Sequence, residues 1–215
     1  MGVAQAGLVF KTKVPLRDAG ALVSKLCGGQ AVKIEPSLRS SFDIRNHSDV
    51  LVQVFGNVIV INNNQIAWDM LEDPASDVTQ RHRVLGAPEM LLAFCHYDSG
   101  DSYGYAFIER GERTRSRLQT GVPAVVEFGT PKDFESRWLS APFYLEDDDC
   151  PIDQRRKIYF QGEREVEVPE AEITRRLLEE ALRMNFGICP WDEDIDPVSH
   201  FFRLTAEKNP WWRLW

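Results

Sequence analysis

Cys95-His96 is the one adjacent pair of nucleophile or metal-ligand residues in the chain. It lies in the apolar run from Glu89 to Tyr97, which reads as a β-strand, and successive strand residues point to opposite faces. The two side chains therefore cannot share one ligand set. Core packing is the favoured reading of Cys95, because a free cysteine behaves as a small hydrophobe. His47, His82 and His200 stand alone, without the His-x-x-x-His spacing that builds a zinc site on a helix. Gly129-Thr130-Pro131 is followed by Lys132 but lacks the spacing of a phosphate loop, and there is no nucleophile elbow, so neither a cofactor nor a metal is expected.

Three charged or aromatic groups carry the remaining chemistry. Arg113, Arg115 and Arg117 alternate along a strand and are expected on one face, where guanidinium groups are suited to gripping phosphate or carboxylate. Glu109 and Glu112 sit among them, so surface ion pairing and edge protection are favoured over anion binding. Asp192, Asp194 and Asp196 alternate like calcium-loop ligands, but Pro197 replaces the turn glycine and Arg203 the bidentate Glu. A better use of these carboxylates, with Asp147, Asp148 and Asp149, is to present negative charge to a basic partner. Trp211, Trp212 and Trp215 crowd the end of the chain; Trp is enriched in binding hot spots, and the tail is equally suited to plugging its own core.

The elements that position these groups follow from periodicity and turn signals. Glu89 to Thr120 reads as a three-stranded meander broken at Ser99-Gly100-Asp101 and Gly111-Glu112. Its first strand is apolar on both sides and should be central; its third, rich in Arg, Thr and Ser, should be a solvated edge. Strands are expected at Ala4–Lys11, Ala31–Glu35, Ser41–Arg45, within Asp49–Ile61, and at Ala124–Phe128 and Ser199–Thr205. Gly56-Asn57 is either a tight hairpin turn or a bulge. A small hairpin is expected from Lys157–Phe160 and Glu165–Val168. Helices are expected at Leu16–Leu26, Pro74–Val84 and Lys132–Leu139, while Gln65–Met70 reads as short and extended. The strongest helix runs from Pro169 to about Asn185, with Ile173, Leu177, Leu178, Ala181 and Met184 as its apolar stripe and Gly187 as its stop. The fold class that results is α+β: a mostly antiparallel sheet with a central meander and helices packed on one face. Residues 1–208 are read as one such domain and 209–215 as a Trp-rich tail.

Composition narrows the function classes. A formal charge of -8 opposes general binding to nucleic acid or anionic membrane and favours a cationic partner. Cys27, Cys95, Cys150 and Cys189 are scattered rather than dense, which suits a reducing cytoplasm. The first ten residues lack a basic n-region, Ala6 occupies the Ser/Thr position of a myristoylation signal, and no run reaches the ~20 apolar residues of a membrane span.

Tyr105-Ala106-Phe107 with Gly111 and Arg113, then Gly129-x-Pro131-x-x-Phe134-Glu135-x-x-Trp138, the late helix ending at Phe186-Gly187, and Phe202-Arg203-Leu204 form a set of motifs. In these the chain resembles a family of uncharacterised single-domain bacterial proteins. The resemblance implies a bacterial, cytoplasmic α+β domain and brings no catalytic residues with it. The expectation is a binding protein, an immunity-type inhibitor that covers the active site of a basic toxin. The alternative is an enzyme with Asp98, Asp101 or His96 as acid and base and the Arg113–Arg117 strand holding an anionic substrate. Self-association is a third reading.

Overall fold

The computed structural model describes residues 3–35, 37, 41–72, 78–121, 125–146, 151, 155–192, 194 and 196–205. In chain order the elements are β1 (Ala4–Lys11), α1 (Ala19–Cys27), β2 (Gln30–Lys33), β3 (Asp49–Phe55), β4 (Val58–Asn62), α2 (Asn64–Leu71) and α3 (Thr79–Val84). There follow β5 (Met90–Tyr97), β6 (Ser102–Glu109), β7 (Glu112–Thr120), β8 (Val125–Phe128), α4 (Asp133–Leu139) and β9 (Phe143–Leu145). The last are β10 (Lys157–Gln161), β11 (Val166–Pro169), α5 (Glu170–Phe186) and β12 (Val198–Thr205). Nine strands form one antiparallel sheet in the order β2-β12-β3-β4-β1-β5-β6-β7-β8, and β11-β10-β9 form a small second sheet. This is the expected α+β architecture, with the meander β5-β6-β7 inside it.

Strand alternation divides the core into two layers. Leu8, Phe10, Leu91, Ala93 and Cys95 face one side with Val23 and Leu26 of α1 and Ile66, Ala67, Met70 and Leu71 of α2. Val9, Leu92, Phe94, Tyr105 and Phe107 face the other with Trp138 of α4 and Ile173, Leu177, Leu178 and Leu182 of α5. Helices thus cover both faces, not one. The reason is already in β5: a strand apolar on both faces needs cover on both. The third meander strand is likewise not a solvated edge, because β8 pairs beyond it and five consecutive β7 residues, Arg115 to Gln119, are buried.

Local differences have local causes. Asn62 closes β4 and Asn63 caps α2, its side chain accepting from the Ile66 amide at 3.1 Å, so Gln65–Met70 is helical rather than extended. Gly56-Asn57 is a tight turn joining Phe55 to its partner Val58, with Gly56 at a φ of 63°. Ser41–Arg45 is irregular: Asp43 is bonded to Arg45 and receives no strand partner among the described residues. The helix expected from Pro74 is described only as Thr79–Val84, residues 73–77 lying outside the described set. Met184 is not part of the α5 stripe; it is 64% exposed, and Leu182 and Phe186 are buried instead. Among the described residues no helix is long and apolar enough to cross a membrane.

At the sheet centre Gly7 admits β4 closely, since a Cβ there would sit 2.3 Å from the Ile61 carbonyl oxygen. Gly7→Ala is expected to destabilise the protein by about 1–3 kcal/mol, read as a lower urea midpoint with an unchanged m-value.

Candidate functional site

The three arginines expected on one face are divided by a β-bulge. Arg117 pairs with Tyr105 and Arg115 with Phe107, but Arg113 pairs with Ile108, so Thr114 is an extra residue on β7. Arg113 therefore turns to the α2 side and donates to the Met70 carbonyl at 2.6 Å. Arg115 and Arg117 face α4 and α5. Arg115 is 1% exposed and grips Glu135 of α4 with Nε at 2.8 Å and Nη2 at 2.8 Å. The same carboxylate accepts from the Tyr105 hydroxyl and, at 2.6 Å, from the Lys132 amide that opens α4. Burial first, and the Glu135 charge second, push the Tyr105 hydroxyl well above its ordinary range. Arg117 pairs with Glu127 of β8 and donates to the Thr174 hydroxyl at 2.9 Å; that hydroxyl donates to Gln119, which in turn donates to the Ala171 carbonyl. These two guanidinium groups are consumed inside the protein, where they fasten α4, α5 and β8 to β7.

The same geometry explains the motif around Gly129. Gly129 sits at a φ of 77° with its Cα against the bulge, where a Cβ would lie 2.1 Å from the Thr114 oxygen. Glu135 is the buried carboxylate, and Trp138, beneath the Arg176 guanidinium at 4.8 Å, is a core residue.

A second polar cluster lies at the other end of β5. His96 is 2% exposed and on the α5 side, opposite Cys95, as strand alternation requires. Its Nδ1 is 3.6 Å from Asp98 and its Nε2 3.9 Å from Glu179 of α5, contacts longer than a normal hydrogen bond. Trp191 lies over the ring at a centroid distance of 4.3 Å, and Tyr103 meets it edge-on at 5.1 Å. The His96 ring, and beyond it Arg183 and Arg175, hold the Glu179 carboxyl below its ordinary range against the opposing effect of half-burial. Asp98 accepts from the Val3 amide at 2.6 Å and from the Tyr103 hydroxyl at 3.3 Å, whereas Asp101 is exposed on the turn in a left-handed conformation. Asp98 thus anchors the start of β1, and it does not form an acid-base pair with Asp101.

Along the outer face of α5 runs a groove of about 390 Å³, walled by Glu172, Arg175, Arg176, Glu179, Arg183 and the exposed Met184. Its carboxylates are tied to arginines: Glu172 to Arg175 at 2.6 Å, Glu179 to Arg183 at 3.3 Å, and Glu180 to Arg137 at 2.6 Å. Sequence reading missed this groove because Met184 was assigned to the core. Arg183 also reaches Asp192 at 2.9 Å, so the loop carrying Asp192, Asp194 and Asp196 starts at the rim, and Asp194 and Asp196 are exposed. Asp147, Asp148, Asp149, Trp211, Trp212 and Trp215 lie outside the described residues.

The thiols are poor nucleophiles. Burial pushes Cys27 up to about 11, Cys95 higher still and Cys189 to about 12, which leaves little thiolate at neutral pH. Among the described residues no group of three or more His, Cys, Asp or Glu side chains could hold a metal ion.

Fold and surface together define an α+β protein whose buried charges are structural and whose mixed-charge groove and acidic loop face solvent. Compared with known proteins, the chain matches no family model, no curated protein and no solved structure.

Removing one partner of the buried pair leaves the other uncompensated. Glu135→Leu is expected to cost about 3–5 kcal/mol, and adding Arg115→Met should restore much of the loss. Urea unfolding of the two single variants and the double variant, read as a thermodynamic cycle, measures both effects. Native-state labelling with a thiol reagent should leave Cys95 and Cys189 unreacted until denaturant is added.

Proposed function

We propose that the protein is a cytoplasmic bacterial inhibitor of the immunity type, which binds a basic toxin and covers its active site. The observation that carries this reading is the Arg183–Asp192 contact, from which the stretch carrying the exposed Asp194 and Asp196 starts at the rim of the α5 groove, in a chain of formal charge -8. The groove offers an exposed methionine beside carboxylates and guanidiniums already set in pairs, a surface able to exchange partners with a docking protein. Methionine adapts its shape to what it meets. Acidic side chains at the rim steer a basic partner and raise its association rate at low salt. Consumption of Arg115 and Arg117 in the interior also favours this reading over an enzyme with an anion site on β7.

The test is capture with tagged protein in the source organism, identification of any stoichiometric partner, and assay of that partner's activity with and without this protein. A basic toxin silenced at equimolar ratio is the expected result. Recovery of no stoichiometric partner, or a partner whose activity is untouched, removes the proposal. With the partner in hand, Asp194→Lys combined with Asp196→Lys should slow association by about tenfold at low salt and leave dissociation little changed, measured by stopped flow across ionic strength.

A further inference from the structure

We propose that β8 is a self-association edge, where a second copy of this chain adds its own β8 antiparallel to the first, in register about Glu127. β8 is the last strand of the nine-stranded sheet, and no strand pairs beyond it among the described residues. Its outer backbone groups are therefore open to another strand. Glu127 lies opposite Arg117 and shares its α5 side, which leaves Val126 and Phe128 on the α2 side, opposite Leu118 and Ser116. Leu118 belongs to the α2-side core and Ser116 is buried, whereas Val126 is 48% and Phe128 41% exposed. The α2-side core thus runs out through Val126 and Phe128 to the edge and ends bare.

Edge strands are usually guarded by a lysine, a proline or an outward-facing charge. The other strand edges have such cover. β2 ends in the exposed Lys33 and β11 in Pro169. On β9 the Phe143 ring lies against Tyr159 at 5.5 Å, with the Lys157 ammonium over it at 5.4 Å. β8 reads Val-Val-Glu-Phe and has neither lysine nor proline. Its single charge is already neutralised, because Glu127 is paired with Arg117 and stands 3.4 Å from Arg115.

A second copy fits this edge by symmetry. A two-fold axis normal to the sheet sets residues of the same face opposite one another. With the axis at Glu127, Val126 meets Phe128 of the partner subunit, and Phe128 meets the partner's Val126. Aromatic and β-branched side chains are favourable cross-strand partners. The two Glu127 carboxylates come face to face, each held by its own Arg117. A ladder of four residues is a small interface, so the association is weak and depends on concentration. Chains of formal charge -8 repel, so added salt strengthens it, the reverse of its effect on a basic partner steered by acidic side chains. The acidic stretch leads into β12, beside β2 at the other end of the strand order, so each surface can fail its test without the other.

The experiment is sedimentation of the full chain from about 5 µM to about 1 mM at low and high salt, with circular dichroism to check that each variant is folded. The mass should rise from 24.6 kDa toward twice that value, more readily at high salt, and Phe128→Lys should weaken the association by about tenfold. A chain that stays monomeric throughout overturns the proposal, and so does a dimer that Phe128→Lys leaves intact. Oxidative cross-linking in a Cys150→Ser background tests the register. An equimolar mixture of Val126→Cys and Phe128→Cys should form an interchain disulfide several times faster than either variant alone, because only the mixture sets two cysteines directly opposite and within bonding reach. Equal rates in the mixture and the single variants overturn the pairing. If Phe128→Lys does not fold, this cross-link decides.

Discussion

The fold depends on one buried carboxylate. Glu135 lies wholly inside the protein, and its two oxygens take up the Arg115 guanidinium, the Tyr105 hydroxyl and the amide that opens α4. A carboxylate in that position without these donors would carry several kcal/mol of uncompensated desolvation. The requirement propagates outward. Arg115 can reach Glu135 only because the bulge at Thr114 leaves it on the Phe107 side, and the bulge can form only where Gly129 lets β8 pass without a Cβ. Bulge, glycine, helix start and ion pair are therefore one assembly.

Neighbouring polar contacts extend this assembly to α5. Arg117, Thr174, Gln119 and the Ala171 carbonyl form a chain of hydrogen bonds that fixes the rotation of α5 on the sheet. With that rotation set, Leu177, Leu178, Ala181 and Leu182 turn inward, and Glu172, Arg175, Arg176, Glu179, Arg183 and Met184 turn outward. The groove and the carboxylate facing His96 are consequences of where α5 is pinned. Structure and surface chemistry are coupled through this network.

Much of the architecture was legible in the chain. The meander, the bounds of β1, the central position of β5 and the long late helix follow from alternation, turn residues and helical spacing, which act locally. The opposed placement of Cys95 and His96 follows from the same two-residue period. Errors fell where a local pattern was ambiguous or was interrupted by one residue. Gln65–Met70 has few residues and no obvious period, and its helical state is decided by a cap from Asn63. Met184 fits a helical stripe by spacing, yet the stripe curves away toward Leu182 and Phe186. The arginines of β7 look like a solvated edge because charge usually means solvent; nothing within the strand announces that Glu135, some twenty residues on, will meet one of them.

The sequence by itself determined the strands, the helices, their alternation and the acidic balance, because these depend on neighbours along the chain and on composition. Only the tertiary structure decided which charges are consumed and which are presented. Burial of Arg115 against Glu135, the turning of Arg113 to the opposite face, and the placing of His96 between Asp98 and Glu179 all require residues distant in sequence to meet. The free energy of a charge depends on its partner and its exposure rather than on its identity, and neither can be read from spacing alone.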